Sequence, residues 1–306
     1  MSVKYFKRSS SPVKGWRRWL GKEPIGGLFA LPYAIFVLFI FAYPLCFATY
    51  MAFHDYFFTA PGAQVDKPFV GFRNFSQVLA NPDVLQSFKN ILVFLIINVP
   101  LTVVLSIVLA AALNAGIRWA TAFRIAFYLP YITASVSLVG VWMLLFSQKG
   151  LVNALLGSLA PNPSWLINEH LAMPSIAFYV TWKQLGFYIL LYLAALQNVP
   201  KELHEAAAVD GANAVQRFLH VTVPGVRPTT TLVLLLAIIT GANMFTEPYL
   251  LTNGGGPNGA SNTPVLLIYQ LGIQQQHPDL ASAIGMLLVI LVGFISLLTN
   301  RLNKET

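Results

Sequence analysis

Charge is what this 306-residue chain has least of: 10% of its residues are Asp, Glu, Lys or Arg, against roughly 25% in soluble globular proteins. With 56% hydrophobic residues and a mean hydropathy of +0.65, too few polar side chains remain to clothe a water-facing surface, which argues against a soluble enzyme. The apolar surplus belongs in lipid. Cysteine is almost absent as well, and Cys46 alone excludes an intrachain disulfide or a cysteine-built metal cluster.

Nucleotide and metal signatures are missing too. Five residues separate Gly15 from Gly21-Lys22-Glu23, one too many for a phosphate-binding loop, and Glu23 stands where a Ser or Thr hydroxyl would ligate magnesium. His204-Glu205 opens like a zinc-protease helix, but Ala208 occupies the second histidine position. His54, His170, His220 and His277 are scattered singly and read as surface or interface residues. No catalytic residue, cofactor or metal site is expected in the chain. A net charge of +8 would raise nucleic acid as a partner for a soluble protein. Here the placement of the charges matters more, and no nucleic-acid partner is expected.

What is present is a series of long uncharged stretches, 24–54, 90–117, 125–148, 228–246 and 280–300. Each is near or above the roughly 20 residues that cross about 30 Å of hydrocarbon. A sixth span is expected from about Met173 to Leu196, although Lys183 and Gln184 lie near its middle. The uncharged stretch 248–278 is long enough, but Thr252-Asn-Gly-Gly-Gly-Pro-Asn-Gly-Ala-Ser-Asn262 would leave backbone groups unpaired in lipid, and it reads as an external loop. A ligand cradle there is the less favoured reading, because no strand precedes the glycines and no Lys-Ser/Thr follows them.

Orientation follows from the basic residues outside the spans. Fourteen lie on the side of the two termini, seven of them in the N-terminal tail, and four on the other. This predicts six spans over residues 24–300, with cytoplasmic tails at 1–23 and 301–306. The tail segment Lys14-Gly-Trp-Arg-Arg-Trp-Leu-Gly-Lys22 suits anionic headgroups. The long apolar run after it, with no short Ala-x-Ala end, favours a retained anchor over a cleaved signal.

The longest cytoplasmic connection, about 198–226, reads as helix, break, helix. Pro200 suits a first helical turn, Glu202 to Asp210 are rich in helix formers, and Gly211 frees the backbone to turn. Val215, Phe218, Leu219 and Thr222 then form one mostly apolar stripe, stopped by Pro224 and Pro228. Ala206, Ala207 and Ala208 bring little bulk, so the first helix can seat closely against another surface, with Glu205 and Asp210 available to pair across it. A helix lying on its own membrane domain is the plainer alternative.

Glu205-Ala206-Ala207, Gly211 four residues later and Val223-Pro224 resemble the EAA loop of the permease subunits of bacterial ABC importers. Phe69-Val-Gly-Phe-Arg-Asn-Phe75, Tyr128-Leu-Pro130, Ala194-Ala-Leu-Gln-Asn-Val-Pro200 and Leu250-Leu-Thr-Asn-Gly-Gly-Gly-Pro257 are similar to the carbohydrate-uptake branch, the maltose and glycerol-phosphate permeases. Val223 where Leu is frequent, and three glycines at 254–256 where two are usual, are mild departures. The resemblance implies an all-α integral membrane subunit in a bacterial inner or cytoplasmic membrane, multi-pass. It implies a second homologous permease, two ATP-binding subunits carrying ATP and magnesium, and an extracytoplasmic substrate-binding protein. Glu205, Ala206, Ala207, Asp210, Gly211, Ala212 and Pro224 are the expected coupling residues.

Polar groups within a span cost a few kcal/mol on insertion scales, so they face a partner helix or a water-filled path. That selects Lys183, Gln184, Gly186 and Tyr188 with Trp182 in the fourth span, and Asn243, Phe245 and Glu247 near the outer end of the fifth. Aromatic faces and hydroxyl-binding amides and carboxylates suit a sugar, and the resemblance places pocket residues around Leu185–Ile189 and Gly241–Phe245. Lys183 is equally open to a structural pairing with a carboxylate of the other permease, or to snorkelling. Trp142 and Asn98 have weaker claims, and Tyr33, Tyr43 and Trp182 also suit interfacial belts or packing. The reading that emerges is the permease of a sugar, oligosaccharide or glycerol-phosphate-like importer. A self-contained secondary carrier and a non-catalytic membrane anchor are the rivals.

Overall fold

The computed structural model of the chain describes residues 24–60 and 65–304; the basic tail expected over 1–23 lies outside the described residues. Apart from one isolated antiparallel bridge between His54 and Phe69, the described secondary structure is helical. Two compact units are present, Met1–Tyr50 and Met51–Thr306.

In the first unit α1 (Pro24–Val37) passes through a π-helical turn (Leu38–Ala42) into α2 (Tyr43–Phe53), which continues into the second unit. Pro44 has no N–H to return to residue 40, and the helix meets that gap by widening just before it. Phe29, Tyr33, Phe36, Phe39, Phe41 and Tyr43 are all exposed within this unit. A helix apolar on every face is what a lipid-embedded span presents.

The second unit continues with α3 (Arg73–Ala80) and the 33-residue α4 (Pro82–Asn114). Asn81 caps α4 by accepting the Asp83 N–H at 2.9 Å, with Pro82 in the first turn, where its missing N–H costs nothing. Then come α5 (Ala120–Ile132), α6 (Ser135–Leu145), α7 (Leu151–Leu156) and α8 (Ala172–Leu196). After α9 (Lys201–Val209), α10 (Ala214–Arg217) runs through a π-helical turn (Phe218–Thr222) into α11 (Val223–Gly225). The chain ends with α12 (Arg227–Ala242), α13 (Thr246–Leu251), α14 (Pro264–Tyr269) and α15 (Pro278–Lys304).

α4 against α8 forms the centre of the main core, where Ile91, Phe94, Ile176, Tyr179, Ile189 and Tyr192 are buried. Within this interface Asn98 Nδ2 donates to Thr181 Oγ1 at 2.8 Å, which satisfies a polar pair that neither helix could leave in hydrocarbon alone. α8 also meets α5, where a Cβ on Gly186 would fall 2.2 Å from the Phe127 carbonyl oxygen. A smaller core of Val78, Val84, Leu267, Ala283 and Ile284 joins α3, the start of α4, α14 and α15.

Four helices are long and apolar enough to cross a membrane: Phe29–Phe53, Pro82–Asn114, Ala172–Leu196 and Pro278–Arg301. The other two expected spans are bent pairs. α5 and α6 meet at 100°, and Ala214–Gly225 meets α12 at 72°. The third expected span, 125–148, is therefore not one straight helix, because Thr133 and Ala134 adopt extended ψ values of 143° and 126° and interrupt it. The second span starts at Pro82, so that Asp83 and Lys89 lie within its helix, and the fifth stops at Ala242.

The stretch 248–278 also differs from a plain loop, since α13, α14 and a π-helical turn (Gln270–Gln274) occupy much of it. Gly254, Gly255 and Gly256 have φ of 89°, 117° and 76°, conformations other residues rarely adopt, and they close a tight turn. Its polar groups are paired locally: Ser261 N–H donates to Gly255 O at 2.8 Å, and Thr252 Oγ1 and Ser261 Oγ lie 2.7 Å apart. From α4, Asn90 Nδ2 donates to Gly259 O and Asn262 O at 2.7 and 2.9 Å. The backbone groups of this glycine-rich segment are thus paired partly with one another and partly with side chains.

Candidate functional site

Lys183 is the twelfth residue of the 25-residue α8, deep in an apolar helix. Its ammonium donates to Glu247 Oε1 at 3.0 Å and to Ser135 Oγ at 2.7 Å, and both charged side chains are 13% exposed. Three separate segments converge there: α8, the first turn of α13, and the first residue of α6 just past the break at Thr133–Ala134. The interruption of the third span thus places the Ser135 hydroxyl beside Lys183. Burying either charge alone would cost several kcal/mol, and the pair with its hydroxyl ligand offsets much of that. The carboxylate paired with Lys183 belongs to this chain, on α13.

One aromatic cluster lies beside the ammonium and a second is built around α13. The Lys183 ammonium sits 5.9 Å from the Tyr179 ring centroid. Trp142 lies edge-on to Tyr179 at 5.2 Å, 5.5 Å from Trp182, and stacked on Phe146 at 4.7 Å. Around α13, Phe245 stacks on Tyr249 at 5.2 Å and meets Tyr269 edge-on at 5.3 Å. Trp182 and Tyr249 are exposed at 40% and 37%, so each cluster is partly accessible from outside the chain.

The other expected path residues divide. Gln184 is half-buried and Phe245 lies within the second aromatic cluster. Asn243 is exposed, its amide donating to Ile239 O at 2.8 Å. Gly186 and Tyr188 are buried in packing: Gly186 faces the α5 backbone, and Tyr188 is 2% exposed with its hydroxyl 3.5 Å from Thr240 Oγ1. Sequence reading missed Ser135, Tyr249 and Tyr269. Ser135 sits in a charge-free run with no signal of its own, whereas Tyr249 carried one, lying two residues after the selected Glu247.

The second expected site is built around α9. Pro200 precedes its first residue, and Gly211, at φ 80°, turns the chain after it. Ala212 N–H reaches back to Ala207 O at 2.9 Å and Gly211 N–H to Ala208 O at 3.1 Å, a Schellman closure. Asn213 then caps α10 reciprocally with Gln216. Ala206 is exposed, and Ala207, Asp210, Gly211 and Ala212 line a concavity of about 290 Å³ together with Gln216 and His220. Glu205 lines a second, of about 350 Å³, with Asn114, Leu196, Lys201, His204 and Thr222.

The expected single stripe after Gly211 separates into two. Phe218 packs on the main core and Thr222 is buried, while Val215 and Leu219 are 65% and 53% exposed. The π-helical turn carries the inward pair, and Pro224, lacking an N–H for residue 220, follows it as Pro44 follows the first. Val209 and Leu203, on α9, are exposed at 88% and 51%. This segment therefore presents four apolar side chains outward among its small residues.

Known proteins agree with this architecture. Residues 28–304 match the family described as the binding-protein-dependent transport system inner membrane component. The arabinooligosaccharides transport system permease protein AraP of Bacillus subtilis is 33% identical over 303 residues, 96% of this chain and 94% of that protein. The trehalose/maltose transport system permease protein MalF of Thermococcus litoralis is 32% identical over 273 residues, 88% and 90% of the two chains. Among solved structures, a chain of a bacterial ABC transporter involved in the import of the acidic polysaccharide alginate shares the fold. Its TM-score is 0.77 at 22% identity, covering 95% of this chain and 98% of that one. The chain belongs to the family of binding-protein-dependent transport system inner membrane components.

Proposed function

We propose that the chain forms one half of the membrane path of an ATP-driven importer for a sugar, an oligosaccharide or a glycerol-phosphate-like solute, in the inner or cytoplasmic membrane of a bacterium. Relatives named for arabinooligosaccharide and trehalose/maltose transport support the carbohydrate class. A second homologous permease completes the path, and an external binding protein delivers solute. Two separate subunits bind ATP with magnesium and hydrolyse it. Each bent helix pair counts as one span, giving six over residues 24–300, with the tails 1–23 and 301–306 and the coupling loop, about 198–226, in the cytoplasm.

The observation that carries this reading is the closed turn at Gly211. It fixes α9 at a set angle to the helix that leads into α12, so a push on α9 is transmitted rather than absorbed by a loose loop. Glu205, Ala206, Ala207, Asp210, Gly211, Ala212 and Pro224 make up this lever. Lys183, Gln184, Asn243, Phe245 and Glu247 line the solute path, with Gly186 and Tyr188 shaping it from behind.

The test is reconstitution with the partner permease, the ATPase subunits and the binding protein. Gly211→Pro and Ala207→Trp are expected to insert and assemble at normal levels, yet to lose solute-stimulated ATP turnover and uptake together. Full uptake by either assembled variant would refute the lever.

A further inference from the structure

Lys183 and Glu247 form a mutually neutralising pair inside an otherwise uncharged region. The remaining charged residues of these helices lie toward helix ends: Asp83 and Lys89 on α4, Arg124 on α5, Arg227 on α12, and Asp279, Arg301 and Lys304 on α15. Midway along α8 the chain therefore offers a dipole, one ammonium 3.0 Å from one carboxylate oxygen, rather than a net charge. Each partner keeps 13% of its side chain accessible, and the Tyr179 ring centroid lies 5.9 Å from the ammonium.

We propose that Glu247 is the charge-specificity residue of the solute path: by neutralising Lys183 it tunes the path to uncharged saccharides and against acidic ones. This rests on the saccharide-import reading given above. An acidic solute entering a water-poor path must shed hydration and finds an ammonium whose charge Glu247 already neutralises and two of whose three donors go to Glu247 and Ser135, so its desolvation is poorly compensated. Hydroxyls of a neutral sugar lose far less and can share the outer lone pairs of Glu247. Removing the carboxylate charge frees Lys183 for charge-assisted hydrogen bonds to a uronate. Removing the ammonium instead leaves Glu247 to attract an amino sugar. One ion pair thus rejects both signs of charge.

The experiment uses the assembled transporter, this chain with its partner permease and ATPase subunits, free of nucleotide and of binding protein. Equilibrium dialysis compares maltotriose, tri-galacturonate and tri-glucosamine as neutral, anionic and cationic probes of similar size. Wild type is expected to favour maltotriose. In Glu247→Gln, which keeps the acceptor oxygen and the side-chain length, affinity for tri-galacturonate is expected to rise about tenfold, an effect that salt weakens. In Lys183→Met the same gain is expected for tri-glucosamine. The reversed pair, Lys183→Glu with Glu247→Lys, keeps the wild-type order.

Because the two single variants change charge in opposite directions, either one suffices if the other fails to assemble. Maltotriose binding that persists with no gain for either charged probe overturns the charge filter and leaves the import reading standing. Wild type favouring tri-galacturonate overturns it as well. An assembled, ATP-hydrolysing complex that binds none of the three, in any variant, overturns the saccharide reading and the filter with it.

Discussion

Gly186→Ala adds one methyl group at the place where α8 and α5 come closest. The new Cβ would lie 2.2 Å from the Phe127 carbonyl oxygen, 2.5 Å from its carbonyl carbon and 2.6 Å from Tyr128 Cα. All three are backbone atoms, so no rotamer change relieves the clash, and the helices must part by about 1 Å to restore contact distance. Overpacking of this kind costs about 1–3 kcal/mol, partly offset by the roughly 0.5–1 kcal/mol that alanine gains over glycine in a helix. The same displacement strains the stack of Tyr131 on Phe187, whose ring centroids lie 5.0 Å apart. A net loss of about 1–2 kcal/mol corresponds to a fall of roughly 2–8 °C in melting temperature. The assay is recovery of detergent-solubilised protein by size exclusion after stepped heating. Gly140→Ala and Gly293→Ala serve as references, because a Cβ at either meets nothing within 4 Å. Gly186→Ala melting at or above these references would refute the packing argument. Lost uptake at unchanged melting temperature would return Gly186 to direct solute contact.

Other side chains allow equally direct checks. Asn98→Ala removes the buried bond to Thr181 but leaves Thr181 its own bond to Ala177 O at 2.8 Å; a loss of about 0.5–1.5 kcal/mol is expected, read in the same melting assay, and no change would show the pair to be neutral. Asn90→Asp keeps the side-chain shape but loses both amide donors to Gly259 O and Asn262 O. Faster hydrogen exchange confined to residues 252–263 is expected, and unchanged protection there would mean that the turn holds itself.

Helix positions were readable because charge marks their limits. A chain with 10% charged residues places most of them where water is, so the uncharged stretches 24–54 and 280–300 fell on Phe29–Phe53 and Pro278–Arg301 to within a few residues, and the apolar run from about Met173 to Leu196 fell on Ala172–Leu196 in spite of Lys183. The bends were not readable by the same means. Thr133 and Ala134 are apolar enough to pass for helix interior, and what interrupts the helix is a backbone conformation that composition does not report. The glycine-rich turn misled for a related reason. Its glycines signal unpaired backbone groups, but the N–H groups of Gly254 to Gly256 find carbonyls within the segment, and Asn90, more than 160 residues away in sequence, donates to Gly259 O and Asn262 O. At the site, Lys183 announced itself as a charge within an apolar run, and so did Glu247 beside one. Their pairing depends on how α8 and α13 approach, which no local pattern encodes. The stripe after Gly211 divided because only Phe218 and Thr222 meet the chain's own packed core, which the local pattern does not encode, while Val215 and Leu219 stay exposed.

The two sites are joined by helices whose attachments limit how they can move. α9 is preceded in the chain by α8 and followed, through the bent segment 214–225, by α12. Toward the α9 end Tyr192 on α8 donates to Thr230 on α12 at 3.1 Å, and farther along Tyr188 lies 3.5 Å from Thr240. Just beyond the end of α12, Lys183 on α8 meets Glu247. From Tyr192 to Lys183 is nine residues, about 13 Å along a helix, so α8 and the α12–α13 segment are tied along more than a dozen ångströms. A displacement of α9 cannot move one without the other unless these bonds break. The weakest tie is the long Tyr188–Thr240 contact and the most costly to separate is the ion pair, because parting it leaves two charges in a low-dielectric setting. Under the proposed coupling role, the pair therefore travels as a unit with the helices that bear it. Its neutral character would then be kept throughout the cycle, and charge selection would not depend on which way the path is open.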